Sequence, residues 1–104
     1  MVFDISEVTG IGEFVSEKFE DGLLYRVGEK AFLVTHNNNG GEIKTLEVRC
    51  DGNLARVLQE KYESVMESRY FGRGGVEIVL SGQMEMPEIY DLVRLSYNLT
   101  TTSS

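Results

Sequence analysis

Few residues in this chain have the types and spacing to do chemistry. There is one histidine, His36, and one cysteine, Cys50. No P-loop, nucleophile-elbow or zincin motif accompanies either. His36 closes an apolar segment beside an Asn/Gly loop, which predicts a solvated or turn histidine rather than a general base. Cys50 ends an alternating segment and reads as a small buried hydrophobe. With one cysteine, no intramolecular disulfide can form. Gly10-Ile11-Gly12 lacks both the third glycine and the preceding strand of a dinucleotide loop. With 17 acidic residues some carboxylate pairing is inevitable, so pairing alone does not indicate acid–base catalysis. Glu13, Glu17, Glu20 and Asp21 share one flank of a predicted helix, a pattern that gives a solvated face more readily than converging metal ligands. The expectation is a protein that is not an enzyme, with no catalytic residue, no metal and no cofactor.

Binding chemistry is better represented. Ser68 to Leu80 holds Arg69, Tyr70, Phe71, Arg73 and three glycines, Gly72, Gly74 and Gly75, and then alternates through Val76, Ile78 and Leu80. This predicts a β-hairpin with a glycine tip at Gly72 to Gly75 and a basic apex. Arg69 and Arg73 are candidate phosphate partners, Gly72 and Gly74 candidate amide donors, and Tyr70 a candidate stacking surface. Lys30, Lys44 and Arg49 lie on earlier strands and can share a face with them, each beside an acidic neighbour. The plain alternative is a turn with core aromatics and solvated arginines.

The elements that would position these residues follow from periodicity. Ile11, Phe14, Val15 and Phe19 fall at helical spacing, predicting a first helix ended by Asp21-Gly22. Leu23 to Val27 and Lys30 to His36 read as two strands joined at Gly28-Glu29. Asn37 to Gly41 is a loop, and Glu42 to Cys50 is a third strand. Asp51 can cap a helix over Gly52 to Glu63, with Leu54, Val57, Leu58 and Tyr62 on its stripe. After the glycine hairpin, Ser81-Gly82 leads to a last helix with Pro87 in its first turn and Ile89, Leu92, Val93, Ser96 and Tyr97 inward. Thr100 to Ser104 reads as a disordered tail after a single domain spanning 1–99. The predicted class is α+β, α-β(3)-α-β(2)-α, with a five-stranded antiparallel sheet and helices on one face.

Charge limits the partners. Among 104 residues, acids exceed bases by 17 to 10, for a formal charge of −7 and a pI near 4.6. Such a surface repels phosphate backbones, so DNA binding would need a local basic patch. Charge alone favours a protein partner or self-association through the uncovered sheet face, where Leu24, Val79 and Phe32 are expected. Met84 and Met86 supply soft apolar groups for either a contact or the core. The first residues show no signal-peptide pattern and no apolar run is long enough for a membrane span, so a cytoplasmic location is expected. The glycosylation sequon at Asn98 is then a chance match.

The chain resembles the MmcQ/YjbR family. The residues that carry the likeness are Tyr25-Arg26-Val27-Gly28-Glu29-Lys30-Ala31-Phe32, Leu54 to Tyr62, Ser81-Gly82, and Leu92 to Tyr97 with its Ser96-Tyr97 pair. The resemblance spans about Leu23 to Asn98 and contains no catalytic signature. It implies a fold similar to type III secretion chaperones and to frataxin-like CyaY proteins, and a predicted DNA-binding role through a double wing. The wings would be tipped by Asn37 to Gly41 and Gly72 to Gly75. The alternative is a chaperone-like interaction module acting as a homodimer without nucleic acid. The family's Trp near the last strand is absent, since this chain has no Trp.

Overall fold

The computed structural model describes residues 2–102. Six strands form one antiparallel sheet: β1 (Val15–Phe19), β2 (Gly22–Val27), β3 (Lys30–Asn37), β4 (Ile43–Arg49), β5 (Val65–Ser68) and β6 (Gly72–Val79). Their spatial order is β1-β2-β3-β4-β6-β5. Helix α1 (Gly52–Lys61) packs against β5 and β6, and α2 (Met86–Thr102) packs across β2, β3 and β4. Both helices lie on one face, as expected for an α+β sheet with a single covered side.

The first predicted helix does not form, so the sheet has six strands rather than five and the order is β-β-β-β-α-β-β-α. Val15, Glu17 and Phe19 alternate along β1 and pair with Arg26, Leu24 and Gly22 of β2. Ile11 and Phe14 instead dock on the core from an irregular segment. Ahead of them, Asp4 caps a short 3-10 turn, Ile5–Glu7, and Phe3 and Val8 are buried. Phe14 packs its ring against Tyr25 and Phe32. Four apolar residues at helical spacing thus serve two different surfaces.

The other elements follow their local signals. Asp51 Oδ1 accepts from the Leu54 amide at 2.9 Å and starts α1. The Gly28-Glu29 turn joins β2 to β3, with Gly28 at φ +61. A register shift beside Tyr25 makes Phe32 an extra residue, and both Phe32 and Leu33 enter the helix-side core. Phe32 is therefore not on the uncovered face. Met84 is also a core residue. Helix α2 runs on to Thr102 where a disordered tail from Thr100 was expected. Thr100 is buried, and its hydroxyl donates to the Ser96 carbonyl at 2.8 Å. The last two residues of that expected tail lie outside the described range. Among the described residues, no helix is long and apolar enough to cross a membrane.

The glycine tip is also displaced. The β5–β6 turn is Arg69, Tyr70 and Phe71, and Gly72 to Gly75 belong to β6. Gly72, at φ +63, takes the left-handed backbone after the turn; Gly74 and Gly75 do not. Gly75 serves close approach instead, because a Cβ there would stand 2.4 Å from the Val48 carbonyl oxygen and 2.7 Å from Phe71 Cβ. Removing that side chain lets the aromatic turn fold back over the sheet.

Candidate functional site

The helix-free face carries a second, smaller apolar cluster. Leu24, Ala31 and Val34 are buried there, with Phe19 and Phe71 packed against them. Strand alternation puts His36 on this face with Val34, and Thr45 and Arg49 with Glu47. The register sets Val34 opposite Glu47, Glu47 opposite Glu77, and His36 opposite Thr45. A polar row thus borders the apolar cluster.

Glu47 is the centre of that row and only 2% exposed. Its Oε2 lies 2.6 Å from His36 Nε2. Its Oε1 accepts from the Ser68 hydroxyl at 2.7 Å and from the Tyr70 amide at 2.8 Å. Ser68 Oγ in turn accepts from the Phe71 amide at 2.8 Å. The second ring nitrogen of His36, Nδ1, lies 2.9 Å from Asp21 Oδ1. With a carboxylate on each nitrogen, the imidazole is built to donate twice, as an imidazolium. Burial alone would lower the His36 pKa, but the hydrogen bonds to Glu47 and Asp21 outweigh it and hold it above the usual histidine value. Burial likewise pushes Glu47 up, while His36, the Tyr70 amide and Ser68 hold it below its ordinary range. The His36 hydrogen bond holds Asp21 low as well. The expectation of a solvated histidine is corrected: its solvent is replaced by two carboxylates.

The turn above is aromatic and paired. Arg69 Nε and Nη2 donate to both Glu77 oxygens at 3.0 and 3.1 Å, although the arginine side chain is 69% exposed. Tyr70 packs edge-on against Phe19 and is 44% exposed. Phe71 covers Gly75 and lies under the Arg49 guanidinium, 4.8 Å from the ring centroid. Arg49 also donates its Nε to the Ala31 carbonyl at 2.8 Å.

Of the residues singled out from the sequence, Arg69 and Lys44 line one cleft of about 360 Å³ together with Asp21, His36, Asn38, Thr45 and Glu77. Arg69 and Tyr70 share an adjoining hollow with His36 and Glu47. Arg73 is exposed and lines a separate groove with Gly52, Arg56 and Glu60 of α1. Gly72 and Gly74 lie in β6 rather than at a tip, and Lys30 opens β3 beside the Gly28-Glu29 turn. Arg49 faces inward toward its own chain. Arg73 thus lines a different hollow from the one that Arg69 and Lys44 share.

Both His36 nitrogens are engaged, and burial pushes the Cys50 thiol up to about 11, so it stays protonated and inert. Among the described residues, no group of three or more His, Cys, Asp and Glu side chains is arranged to hold a metal ion. Reading the sequence missed His36, Glu47, Asp21, Glu77 and Ser68 as one group. The available signal was parity: Glu47 lies between Leu46 and Val48 in an alternating strand, on the face opposite the core.

The fold is similar to that of Deinococcus radiodurans protein DR2400, which carries the family-model domain DUF419. That match has a TM-score of 0.80 at 17% identity, over 94% of this chain and 75% of that one. A Pseudomonas syringae protein solved by a structural genomics consortium matches with a TM-score of 0.67 at 18% identity, over 84% of this chain and 86% of that one. No family model matches the sequence, and no curated protein matches it. At these identities the likeness concerns the fold.

Proposed function

We propose that the protein is a non-catalytic binding module that meets a protein partner with the helix-free face of its sheet, around the Arg69–Phe71 turn. The observation that carries this reading is how the face spends its side chains. Tyr70 is 44%, Val15 49% and Met66 43% exposed, while three of the face's arginines are committed to their own chain. Arg69 is paired with Glu77, Arg26 with Glu17, and Arg49 with the Ala31 carbonyl and the Phe71 ring. A net charge of −7 adds long-range repulsion of nucleic acid.

DNA is the second reading. The MmcQ/YjbR resemblance implies a double-wing DNA-binding role, and DUF419, the domain of the Deinococcus structure, corresponds to that family. The specific feature in its favour is the cleft that Lys44 and Arg69 line together. The two readings separate in one pair of measurements. Sedimentation velocity over a range of concentrations tests a second copy as the partner, with Tyr70→Glu expected to weaken any association. A mobility shift at low salt, with Arg69→Glu as control, tests DNA. A salt-dependent shift lost in Arg69→Glu would establish DNA instead. A monomer at every concentration that retards no DNA would count against both readings.

A further inference from the structure

We propose that the Arg69–Phe71 turn is a strap, latched onto the helix-free face by Glu47, and that the positive charge of His36 holds the latch shut. The proposal stands whatever the face binds.

The latch consists of few atoms. One carboxylate oxygen of Glu47 holds the strap through the Ser68 hydroxyl and the Tyr70 amide, and the other holds His36. Closed, the strap lays Phe71 on the cluster of Leu24, Ala31 and Val34, and Tyr70 on Phe19. The closed state also carries costs. The Thr45 hydroxyl, beside His36 and in the cleft lined by Arg69, is buried with no hydrogen-bond partner. Glu47 itself is a carboxylate removed from water, which is tolerable only with compensating charge.

That charge comes from three cations set against four acids. Asp21 and Glu20 approach His36 from the β1–β2 turn, Glu47 and Lys44 from β4, Glu77 from β6, and Arg69 from the strap. When His36 loses a proton, one ring nitrogen turns a lone pair toward a carboxylate oxygen 2.6 or 2.9 Å away. Four carboxylates then face only Arg69 and Lys44. Asp21, whose side chain is 61% exposed, can swing into water; Glu47 cannot, and its hold on the Tyr70 amide weakens.

Residue-resolved amide hydrogen exchange on the full chain, corrected for the intrinsic pH dependence, tests this directly. The Tyr70 and Phe71 amides report the latch, and the Cys50 amide, bonded to the Gly74 carbonyl at 3.0 Å, reports the sheet. Protection of Tyr70 and Phe71 relative to Cys50 should fall about tenfold between roughly pH 6 and pH 9, the difference between a charge-assisted and a neutral hydrogen bond. In Asp21→Asn the same fall should begin at lower pH, because one stabilising carboxylate is gone. In His36→Gln the relative protection should be low and flat with pH. The proposal is overturned if Tyr70 and Phe71 exchange only together with Cys50 at every pH. It is also overturned if Asp21→Asn leaves the fall where it was, a reading that remains available should His36→Gln not fold.

Discussion

His36 and Glu47 hold each other in a place where neither could stand alone. Their side chains are 9% and 2% exposed, so removing one leaves the other buried and uncompensated. His36→Leu should therefore cost about 3 kcal/mol in urea unfolding, the scale for breaking a buried pair. Adding Glu47→Met to His36→Leu should cost less than the two changes summed, which a double-mutant cycle measures. The pH dependence has a definite sign. His36 is raised above 6.5 by its carboxylates, against the pull of burial, so its contribution is full below 6.5 and is lost as pH climbs through the folded value. Asp21 and Glu47 are lowered from 3.8 and 4.5, so their contributions are full above those values and are lost as pH falls further. Urea midpoints should form a plateau between 4.5 and 6.5 and decline on the alkaline side. His36→Leu should remove that alkaline decline.

The β5–β6 hairpin is where a glycine's purpose depends on its neighbours in space. Gly75→Ala would drive a Cβ to 2.4 Å from the Val48 carbonyl oxygen and 2.7 Å from Phe71 Cβ, against backbone that cannot yield without opening β4 from β6. A loss of about 2–4 kcal/mol is expected by urea unfolding, with the turn displaced. Gly74→Ala, one residue earlier, meets only the Phe71 carbonyl oxygen at 3.6 Å and needs no left-handed backbone, so its effect should stay within about 0.5 kcal/mol. The sequence shows three glycines after two aromatics and cannot rank them, because the atoms that decide belong to another strand and to a turn folding back. The same limit explains β1. Its Val15, Glu17 and Phe19 do alternate, but as a short edge strand it carries Glu17 and Lys18 in the open, and Ile11 and Phe14 upstream complete a false helical stripe. Signals contained within one element were legible: the Asp51 cap, the Gly28-Glu29 turn and the inner stripe of α2. The site was not, since Asp21, His36, Glu47 and Ser68 come from four separated segments and each alone reads as an ordinary surface residue.

Charge acts on the molecule as a whole, and its effect on stability can be separated from the latch. Seventeen acids against 10 bases leave −7 on a body of about 33 × 32 × 24 Å. At about 0.01 M salt the screening length is roughly 30 Å, so every surface charge feels every other; at about 0.15 M it is roughly 8 Å, so only neighbours interact. Exposed pairs such as Arg26–Glu17 and Arg94–Asp91 contribute little at either salt, while the summed repulsion falls as salt is added. Folding concentrates the excess negative charge, so the folded state gains more from screening than the expanded chain does. The melting temperature at neutral pH should therefore rise by several degrees between those two salts, corresponding to about 1 kcal/mol for a domain of this size. Differential scanning calorimetry checks it, and a fall in melting temperature would mean that attractive pairs outweigh the net charge. The His36–Glu47 contact, shielded from solvent, should respond far less to salt. His36→Leu should accordingly lower the melting temperature without changing its salt slope, whereas Glu13→Lys on the exposed segment ahead of β1 should flatten that slope and leave the latch intact.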